Sequence, residues 1–223
     1  MVTLLGIRKK AKASYMISDI DHYFFKKRNK NKDFTLISRD CIGRVVYHQL
    51  GLRFLSPTIN LFLTPSDFNQ FCLNLKGYLS SELVQDNGAK EDYPVGLLTA
   101  NEQTVRVHFM HYASFEEAKT KWDERTARVN YENLYVLNSF AYPKEIAELS
   151  DKLIQDWNAI PYPKAILVDK PYGFDEEFVI KKDERCKEYA WLLYDPTSGK
   201  SWKRTFNDFD FISFLRRKQN GGH

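Results

Sequence analysis

Short apolar segments that end in a polar residue constrain the fold of this chain most strongly. The segments FTLIS (34–38) and LYVLN (134–138) each precede a polar turn and a stretch with helical patterning, and AILVD (165–169) follows the second of these stretches. Continuous apolar runs of this length are typical of strands that are buried on both faces of a parallel sheet. Their alternation with amphipathic segments predicts a three-layer α/β/α, Rossmann-like architecture.

Residues that favour helix ends mark several boundaries. Gly51 suits the position just past a helix, Thr64–Pro65 is typical of a helix start and predicts a helix over 64–80, and Ser114 opens a capping box that predicts a helix over 114–129. Further elements are predicted as strands at 93–98, 104–112, 176–180, 188–194 and 201–206, and as helices at 143–157 and 207–218.

The composition is that of a folded, water-soluble protein. Hydrophobic residues make up 43% and charged residues 28% of the 223 positions, which argues against global disorder, and no apolar run is long enough to span a membrane. The first residues lack the order of charged and apolar segments that a signal peptide has. Cys41, Cys72 and Cys186 form no close pair, so we expect reduced thiols and a cytoplasmic protein.

Basic charge is concentrated at the amino terminus. Residues 1–32 contain nine Lys or Arg and two Asp, whereas the rest of the chain contains 24 basic and 27 acidic residues. This segment is either a basic arm that contacts a membrane surface or a partner, or a packing helix followed by a solvated loop. No recognition motif accompanies the charge, so we expect no nucleic-acid partner.

We therefore divide the chain into a basic segment, 1–32, and an α/β domain, 33–223. The turns that follow FTLIS and LYVLN are weakly similar, because each joins a polar strand end to a helix. This similarity suggests that the domain consists of two related halves, 33–100 and 101–223.

The turn after FTLIS is the first candidate site. In open α/β sheets, ligands bind beyond the carboxyl ends of the strands, where the start of the next helix favours anions. The turn matches no glycine-rich phosphate-binding pattern. It either binds a polar ligand through Ser38 and Gly43 or caps its own helix. Asp40 and Cys41 are candidate catalytic residues, and the alternative for Cys41 is an inert buried thiol.

His108 and His111 lie in TVRVHFMHY, in which apolar and polar residues alternate as in a strand. Residues three apart on a strand point to opposite faces, so the two imidazoles cannot bind one ion, and we predict no metal site. His111 is a candidate acid or base, and the alternative is a hydrogen-bonded core histidine.

One predicted helix carries two arginines beside an apolar stripe. Trp122 belongs to this stripe, which we expect to pack in the core, and Arg125 and Arg128 follow it at helical spacing. Two arginines one turn apart can bind a phosphate or a carboxylate with paired donors. The alternative is that Arg128 forms a surface ion pair with Glu124 and that Arg125 pairs with a core carboxylate such as Asp40.

Several motifs taken together resemble a bacterial family. They are the Ser-x-x-Cys-x-Gly turn, the phrases Leu-Ser-Pro-Thr and Tyr-Pro-Val-Gly, and a segment that runs from His-x-x-Ser to Trp-x-x-Arg-x-x-Arg-Val-Asn. Over roughly residues 30–215, the chain resembles domain-of-unknown-function family nineteen-nineteen, whose members are often labelled exopolysaccharide biosynthesis proteins.

The family pattern departs from this chain at three positions. Arg39 and Asp40 stand where the family commonly has two asparagines, and Arg44 stands where it tends to have a second glycine. The positions of the family pattern that this chain retains are Ser38, Cys41, Gly43, Ser56, Pro57, His111, Trp122, Arg125, Arg128 and Asn130.

The resemblance implies an α/β protein of surface polysaccharide assembly, and some members carry transferase labels. We expect a transferase or accessory enzyme that uses a nucleotide sugar or an acyl donor and acts on a sugar-containing small molecule. We also expect the turn and the two arginines to converge on one cleft, to which Ser56, Trp122 and Asn130 contribute. The alternative is a noncatalytic scaffold that reaches the membrane machinery through residues 1–32.

Overall fold

A parallel sheet and a small antiparallel sheet organise the fold. The computed structural model describes residues 26–140, 143–180 and 209–217. The strands in these ranges are β1 (Thr35–Ser38), β2 (Val84–Gln85), β3 (Val95–Ala100), β4 (Gln103–His108), β5 (Leu134–Phe140), β6 (Lys164–Val168) and β7 (Glu177–Val179). The first sheet has the order β1-β5-β6-β7 with parallel pairings throughout, and the second is the antiparallel meander β2-β3-β4.

Helices connect these strands and cover them. In the same ranges they are α1 (Ile42–Leu50), α2 (Pro65–Leu73), α3 (Leu75–Ser80), α4 (Phe115–Thr126), α5 (Pro143–Ile146), α6 (Asp151–Asn158) and α7 (Phe211–Phe214), with a 3-10 turn at Tyr131–Asn133. None of the helices described is both long enough and apolar enough to cross a bilayer.

Both faces of the parallel sheet are buried at strands β1, β5 and β6. Ile37 and Val136 face one apolar cluster, to which α2, α6 and the antiparallel sheet contribute. Leu36 and Leu137, which are their neighbours in sequence, face a second cluster formed with α1 and α7. Successive side chains of a strand point to opposite faces, so each short apolar run contributes side chains to both apolar clusters. This arrangement confirms the predicted three-layer α/β fold.

The predicted helix ends are confirmed where capping residues mark them. Gly51 follows α1 with a φ of 64°, a left-handed conformation that glycine adopts readily. The hydroxyl oxygens of Thr64 and Ser114 accept hydrogen bonds from the amides of Asp67 and Glu117, each at 3.2 Å. Local polar chemistry therefore fixes where α2 and α4 begin.

The predicted strand over 104–112 is wrong at its carboxyl end. Strand β4 stops at His108, and the amide of Tyr112 donates a 3.0 Å hydrogen bond to the carbonyl oxygen of Phe109. Phe109 and Tyr112 are both buried, whereas Met110 and His111 between them are exposed, so the alternation of environments ends where the backbone turns. His111 consequently lies in a turn beyond the strand.

Two predicted helices are each divided in the structure. The helix over 64–80 is interrupted at Asn74, whose φ of −126° is not helical, and the helix over 143–157 restarts at Ser150, whose hydroxyl caps α6. The last helix is shorter than predicted, because it covers only Phe211–Phe214 and is capped by Asp210. The predicted strands 188–194 and 201–206 lie outside the described residues.

The boundary suggested near residue 100 falls in the turn between β3 and β4. Strands from both sides of it pair in each sheet, since β1 pairs with β5 and β3 pairs with β4. The division into related halves stays a prediction. Of the basic segment 1–32, only residues 26–32 are described.

The loop after α1 covers the outer edge of β1. The Thr35 hydroxyl donates to the carbonyl oxygen of Leu55 at 3.0 Å, and the Ser38 amide donates to the hydroxyl oxygen of Thr58 at 2.9 Å. The Ser56 hydroxyl lies 3.0 Å from the same Thr58 oxygen. An uncovered edge would present unpaired backbone groups, so the Leu-Ser-Pro-Thr phrase has a structural role here.

Gly43 permits the close approach of α1 to the end of β1. A Cβ atom at this position would lie 2.3 Å from the Ser38 hydroxyl oxygen and 3.0 Å from its Cβ. The Ser38 hydroxyl cannot move without losing the 2.9 Å hydrogen bond that it donates to the Asp40 carbonyl oxygen. Gly43 therefore fixes the shape of the turn that joins the two elements.

We predict that Gly43→Ala lowers the free energy of unfolding by about 1–3 kcal/mol, because the added methyl group overpacks the turn. Urea denaturation measures the change. The double variant Ser38→Ala/Gly43→Ala should recover part of the loss, because it removes the nearest clashing atom. Gly88→Ala is the control, since its Cβ would make only an ordinary 3.4 Å contact. A Gly43→Ala protein as stable as the wild type would contradict this explanation.

Candidate functional site

Polar residues collect where β1 and β5 end. Arg39 and Asp40 directly follow β1, whereas Asn138 and Ser139 lie near the carboxyl end of β5. Because the two strands are parallel neighbours, these residues meet at one edge of the sheet. This carboxyl edge is where α/β proteins place their ligands.

Arg39 is the centre of this polar cluster. Its side chain is buried and donates through Nε to the Asn138 side-chain oxygen at 2.8 Å and through Nη2 to the Ser139 carbonyl oxygen at 3.0 Å. Nη2 also forms an ion pair with the Glu145 carboxylate, and Nη1 donates to the Leu63 carbonyl oxygen at 3.3 Å. The guanidinium thus joins β1 to β5, α5 and the loop before α2.

Asp40 orients the turn between β1 and α1. One carboxylate oxygen accepts the Ile42 amide at 2.9 Å, and the other accepts the Ser139 hydroxyl at 2.5 Å. The same carboxylate lies 3.8 Å from the Arg39 guanidinium and not next to Arg125. The expected alternative in which Asp40 pairs with Arg125 is therefore wrong. These contacts give Asp40 a positioning role, and its expected catalytic role stays a prediction.

Cys41 and His111 come together although 70 positions separate them in the sequence. The Cys41 sulfur lies 3.4 Å from His111 Nε2. The thiol is half-buried at the start of α1, and the imidazole is exposed in the turn after β4. Both groups can therefore be reached from solvent beside the Arg39 cluster.

The surroundings of Cys41 disfavour its thiolate. Burial raises the pKa of this thiol to about 11, the negative charge of Asp40 raises it further, and Arg44 lowers it in part. A thiol of this kind reacts only when a base removes its proton, and His111 Nε2 is within reach to do so.

His108 lies in a different environment from His111. It is buried, its ring stacks on Phe62 with 4.4 Å between centroids, and its Nδ1 is 3.6 Å from a carboxylate oxygen of Glu91. Burial lowers the pKa of His108. Among the residues described, there is no group of three or more His, Cys, Asp or Glu side chains that could hold a metal ion.

The structure places several predicted binding residues away from the Cys41–His111 pair. Trp122 is 2% exposed and packs on Phe71 and Phe109 in the core, so it cannot form the wall of a cleft. Asn130 is at the opposite end of β1, where its amide donates to Thr35 at 2.8 Å. The expectation that these residues share one cleft with the turn is wrong.

The two arginines of α4 have separate surroundings. Arg128 forms a 3.3 Å surface ion pair with Glu124, as the alternative interpretation predicts. Arg125 is buried and donates to the Tyr112 hydroxyl at 2.6 Å and to the Ile59 carbonyl oxygen at 3.3 Å. Only Arg125 is connected to the candidate site, since Tyr112 directly follows His111. The expected convergence of Arg125 with the turn on one cleft stays a prediction, whereas Arg128 lies in a surface ion pair.

Four members of the cluster are not predicted from the sequence. Arg39 and Glu145 were not proposed as site residues, and neither were Asn138 and Ser139. A signal was present, because LYVLN-SF repeats the polar strand end of FTLIS-RD. The strand order that places these two ends side by side is not readable from either segment alone.

A separate cavity of about 520 Å³ lies at the amino end of β6. Lys164 faces it, but its ammonium group donates to the carbonyl oxygens of Trp157, Asn158 and Ile160 at 2.6–3.2 Å and so closes the end of α6. Burial lowers the pKa of Lys164. The cavity is lined by Ile160, Pro161, Tyr162, Pro163, Lys164, Asp175, Glu176 and Arg217.

The fold and the polar cluster define an α/β protein with a candidate ligand site at the carboxyl edge of its parallel sheet. Comparison with known protein families then identifies the family to which the chain belongs. The model of the family described as "Domain of unknown function (DUF1919)" matches residues 12–216, and the chain belongs to this family. A protein of Haemophilus influenzae described as uncharacterized is 32% identical over 187 residues, which cover 83% of this chain and 85% of the relative.

We predict that alkylation of Cys41 by iodoacetamide is slow at pH 8 and accelerates about tenfold per pH unit up to pH 10, because the thiolate is the reactive form. The pKa of about 11 sets this range. Peptide mass spectrometry follows Cys41 separately from the other cysteines. Arg44→Gln should slow the reaction, because it removes the charge that lowers this pKa. A rate that levels off below pH 8 would contradict the raised pKa.

Proposed function

We propose that the protein is an acyltransferase of surface polysaccharide assembly, in which Cys41 is the nucleophile and His111 is the general base. The observation that supports this function best is the 3.4 Å contact between the Cys41 sulfur and His111 Nε2. The contact lies at the carboxyl edge of a parallel sheet, beside buried polar groups. A nucleophile within hydrogen-bond distance of a base is the arrangement that covalent acyl transfer requires.

The reaction has two balanced steps. In the first, His111 Nε2 accepts the thiol proton while the Cys41 sulfur attacks the carbonyl carbon of an acyl thioester. The bond from that carbon to the donor sulfur breaks, and the donor leaves as a free thiol with the proton from His111. In the second, a sugar hydroxyl oxygen attacks the carbonyl carbon of the Cys41 thioester, and the bond from that carbon to the Cys41 sulfur breaks. The hydroxyl proton passes through His111 to this sulfur, and the acyl ester of the sugar is released.

The raised pKa of Cys41 makes the base essential to this proposal. A thiol with a pKa of about 11 has very little thiolate at neutral pH. Attack therefore has to be coupled to proton removal, and His111 is the imidazole in contact with the sulfur. The first turn of α1 follows Cys41 directly, and its N–H groups beyond that of Ile42, which Asp40 accepts, are suited to stabilise the oxyanion that forms during attack.

Acyl transfer suits this pair better than glycosyl transfer does. Exchange of one thioester for another is chemistry that a thiol performs directly, and a sugar-containing acceptor fits the polar edge of the sheet. The polysaccharide context comes from the resemblance of the Ser38–Gly43 turn and the 111–130 segment to that family. Acyl thioesters and nucleotide sugars are made in the cytoplasm, so we infer that the protein acts there.

Other interpretations of function stay predictions. Transfer of a glycosyl group from a nucleotide sugar would use the same edge of the sheet, and the experiment below includes it. The scaffold alternative depends on residues 1–32, most of which lie outside the described ranges.

The test is to incubate the full chain with acetyl-coenzyme A, quench it in acid and map the adduct by mass spectrometry. We expect one acetyl group on Cys41, no adduct in Cys41→Ala, and an unchanged adduct in the control Cys72→Ala, because Cys72 is fully buried. His111→Gln should slow acylation about 100-fold or more, the usual effect of removing a general base.

Two results would contradict the proposal. One is acylation that persists in Cys41→Ala. The other is the absence of a Cys41 adduct with every acyl-coenzyme A donor in a panel that differs in acyl length and charge. Cleavage of a nucleotide sugar in the same mixture would then favour glycosyl transfer.

A further inference from the structure

We propose that Arg125 binds the phosphate groups of the donor substrate. This inference rests on the proposed function for the identity of the donor, but the anion site itself follows from the surroundings of Arg125. Its premise is a buried cation that the described part of the protein does not neutralise.

Arg125 is 8% exposed, and its partners are neutral. Nη1 donates to the Tyr112 hydroxyl oxygen at 2.6 Å and to the carbonyl oxygen of Ile59 at 3.3 Å. In the described ranges, Arg125 forms no ion pair with a carboxylate. Removing a guanidinium from water without an anionic partner is costly, so this position is suited to an external anion.

Part of the guanidinium remains available to a ligand. Nε and Nη2 make no hydrogen bond to any residue that the structure describes, and neither atom is among the unpaired side-chain atoms sealed from solvent there. The guanidinium lies over the Phe54 ring at 5.6 Å from its centroid, and this contact helps to hold its plane. Nε and Nη2 form the edge of an arginine that binds two oxygens of a phosphate group.

The position of Arg125 connects it to the reactive pair without a direct contact. Tyr112, which holds Nη1, directly follows His111, and His111 contacts Cys41. Ile59 follows Thr58, whose hydroxyl accepts the Ser38 amide. A coenzyme A thioester carries its phosphate groups at the far end of an extended arm. A phosphate site at Arg125 is joined to the Cys41–His111 pair through Tyr112 and does not contact the thiol itself. Such a site therefore suits a donor of this shape.

Arg128 provides a matched control on the same helix. It is the same residue type, three positions further on, but its charge is paired with Glu124 at the surface. Glutamine at either position removes the charge and retains hydrogen-bond donors. Glutamine is shorter than arginine, so Arg125→Gln loses the Nη1 donors to Ile59 and Tyr112, and its fold has to be checked before its binding is measured.

The experiment measures binding of inorganic pyrophosphate, coenzyme A and a uridine-diphosphate sugar to the full chain by calorimetry at fixed ionic strength. Wild type and Arg128→Gln should bind pyrophosphate equally. Arg125→Gln should bind it about 10- to 100-fold more weakly, the effect of losing charged hydrogen bonds. If Arg125→Gln does not fold, Arg125→Lys is the second variant and should also bind more weakly, because a lysine lacks the paired donors.

Each result has a defined meaning. Tighter binding of coenzyme A than of pyrophosphate supports both the anion site and an acyl donor. Tighter binding of the nucleotide sugar supports the anion site and contradicts the acyl donor. Equal pyrophosphate binding by wild type and the folded Arg125 variants, or no binding by wild type, overturns the anion site. Acylation of Cys41 is measured separately and would be unaffected by that outcome.

Discussion

The buried ion pair between Arg39 and Glu145 is the interaction on which the carboxyl edge of the sheet depends. Arg39 follows β1 and Glu145 belongs to α5, so their attraction joins segments that lie 106 positions apart. Neutral acceptors on Asn138 and Ser139 satisfy further guanidinium donors. Truncating Glu145 would remove the nearest anion from a buried guanidinium, and breaking a buried ion pair in this way costs about 3–5 kcal/mol. An arginine with a partner on each guanidinium nitrogen therefore stabilises the fold and keeps this edge polar.

The reactive groups take their positions from this arrangement. Ser139 meets Arg39 on one side and the Asp40 carboxylate on the other, and Asp40 in turn accepts the first amide of α1. These bonds set the direction in which the chain enters α1, and Gly43 allows that helix to pack closely on β1. Cys41 lies at the turning point, where it meets His111. The polar cluster therefore positions the Cys41 thiol, and burial together with the charge of Asp40 keeps this thiol protonated.

Much of the fold is readable from the sequence because its signals are local. Three apolar runs gave the buried strands, and Thr64 and Ser114 marked helix starts through their own side chains. The site is readable only in part, because its contacts join distant segments. The Cys41–His111 pair depends on β4 ending at His108, and alternation alone predicted a longer strand. Trp122 was expected to contribute to the ligand cleft, but it packs in the core. A helical stripe of apolar residues indicates burial, but it does not say whether the core or a ligand covers these residues.

We expect ligands to bind at the carboxyl edge of the parallel sheet and not at the cavity beside Lys164. Hydrogen–deuterium exchange of the full chain, with and without acetyl-coenzyme A, distinguishes these two positions. Binding at the edge should slow exchange in peptides that cover 38–44 and 108–112, where the amides of the turn and of the His111 segment lie. Slower exchange confined to peptides that cover 160–176, which surround the Lys164 cavity, would contradict it.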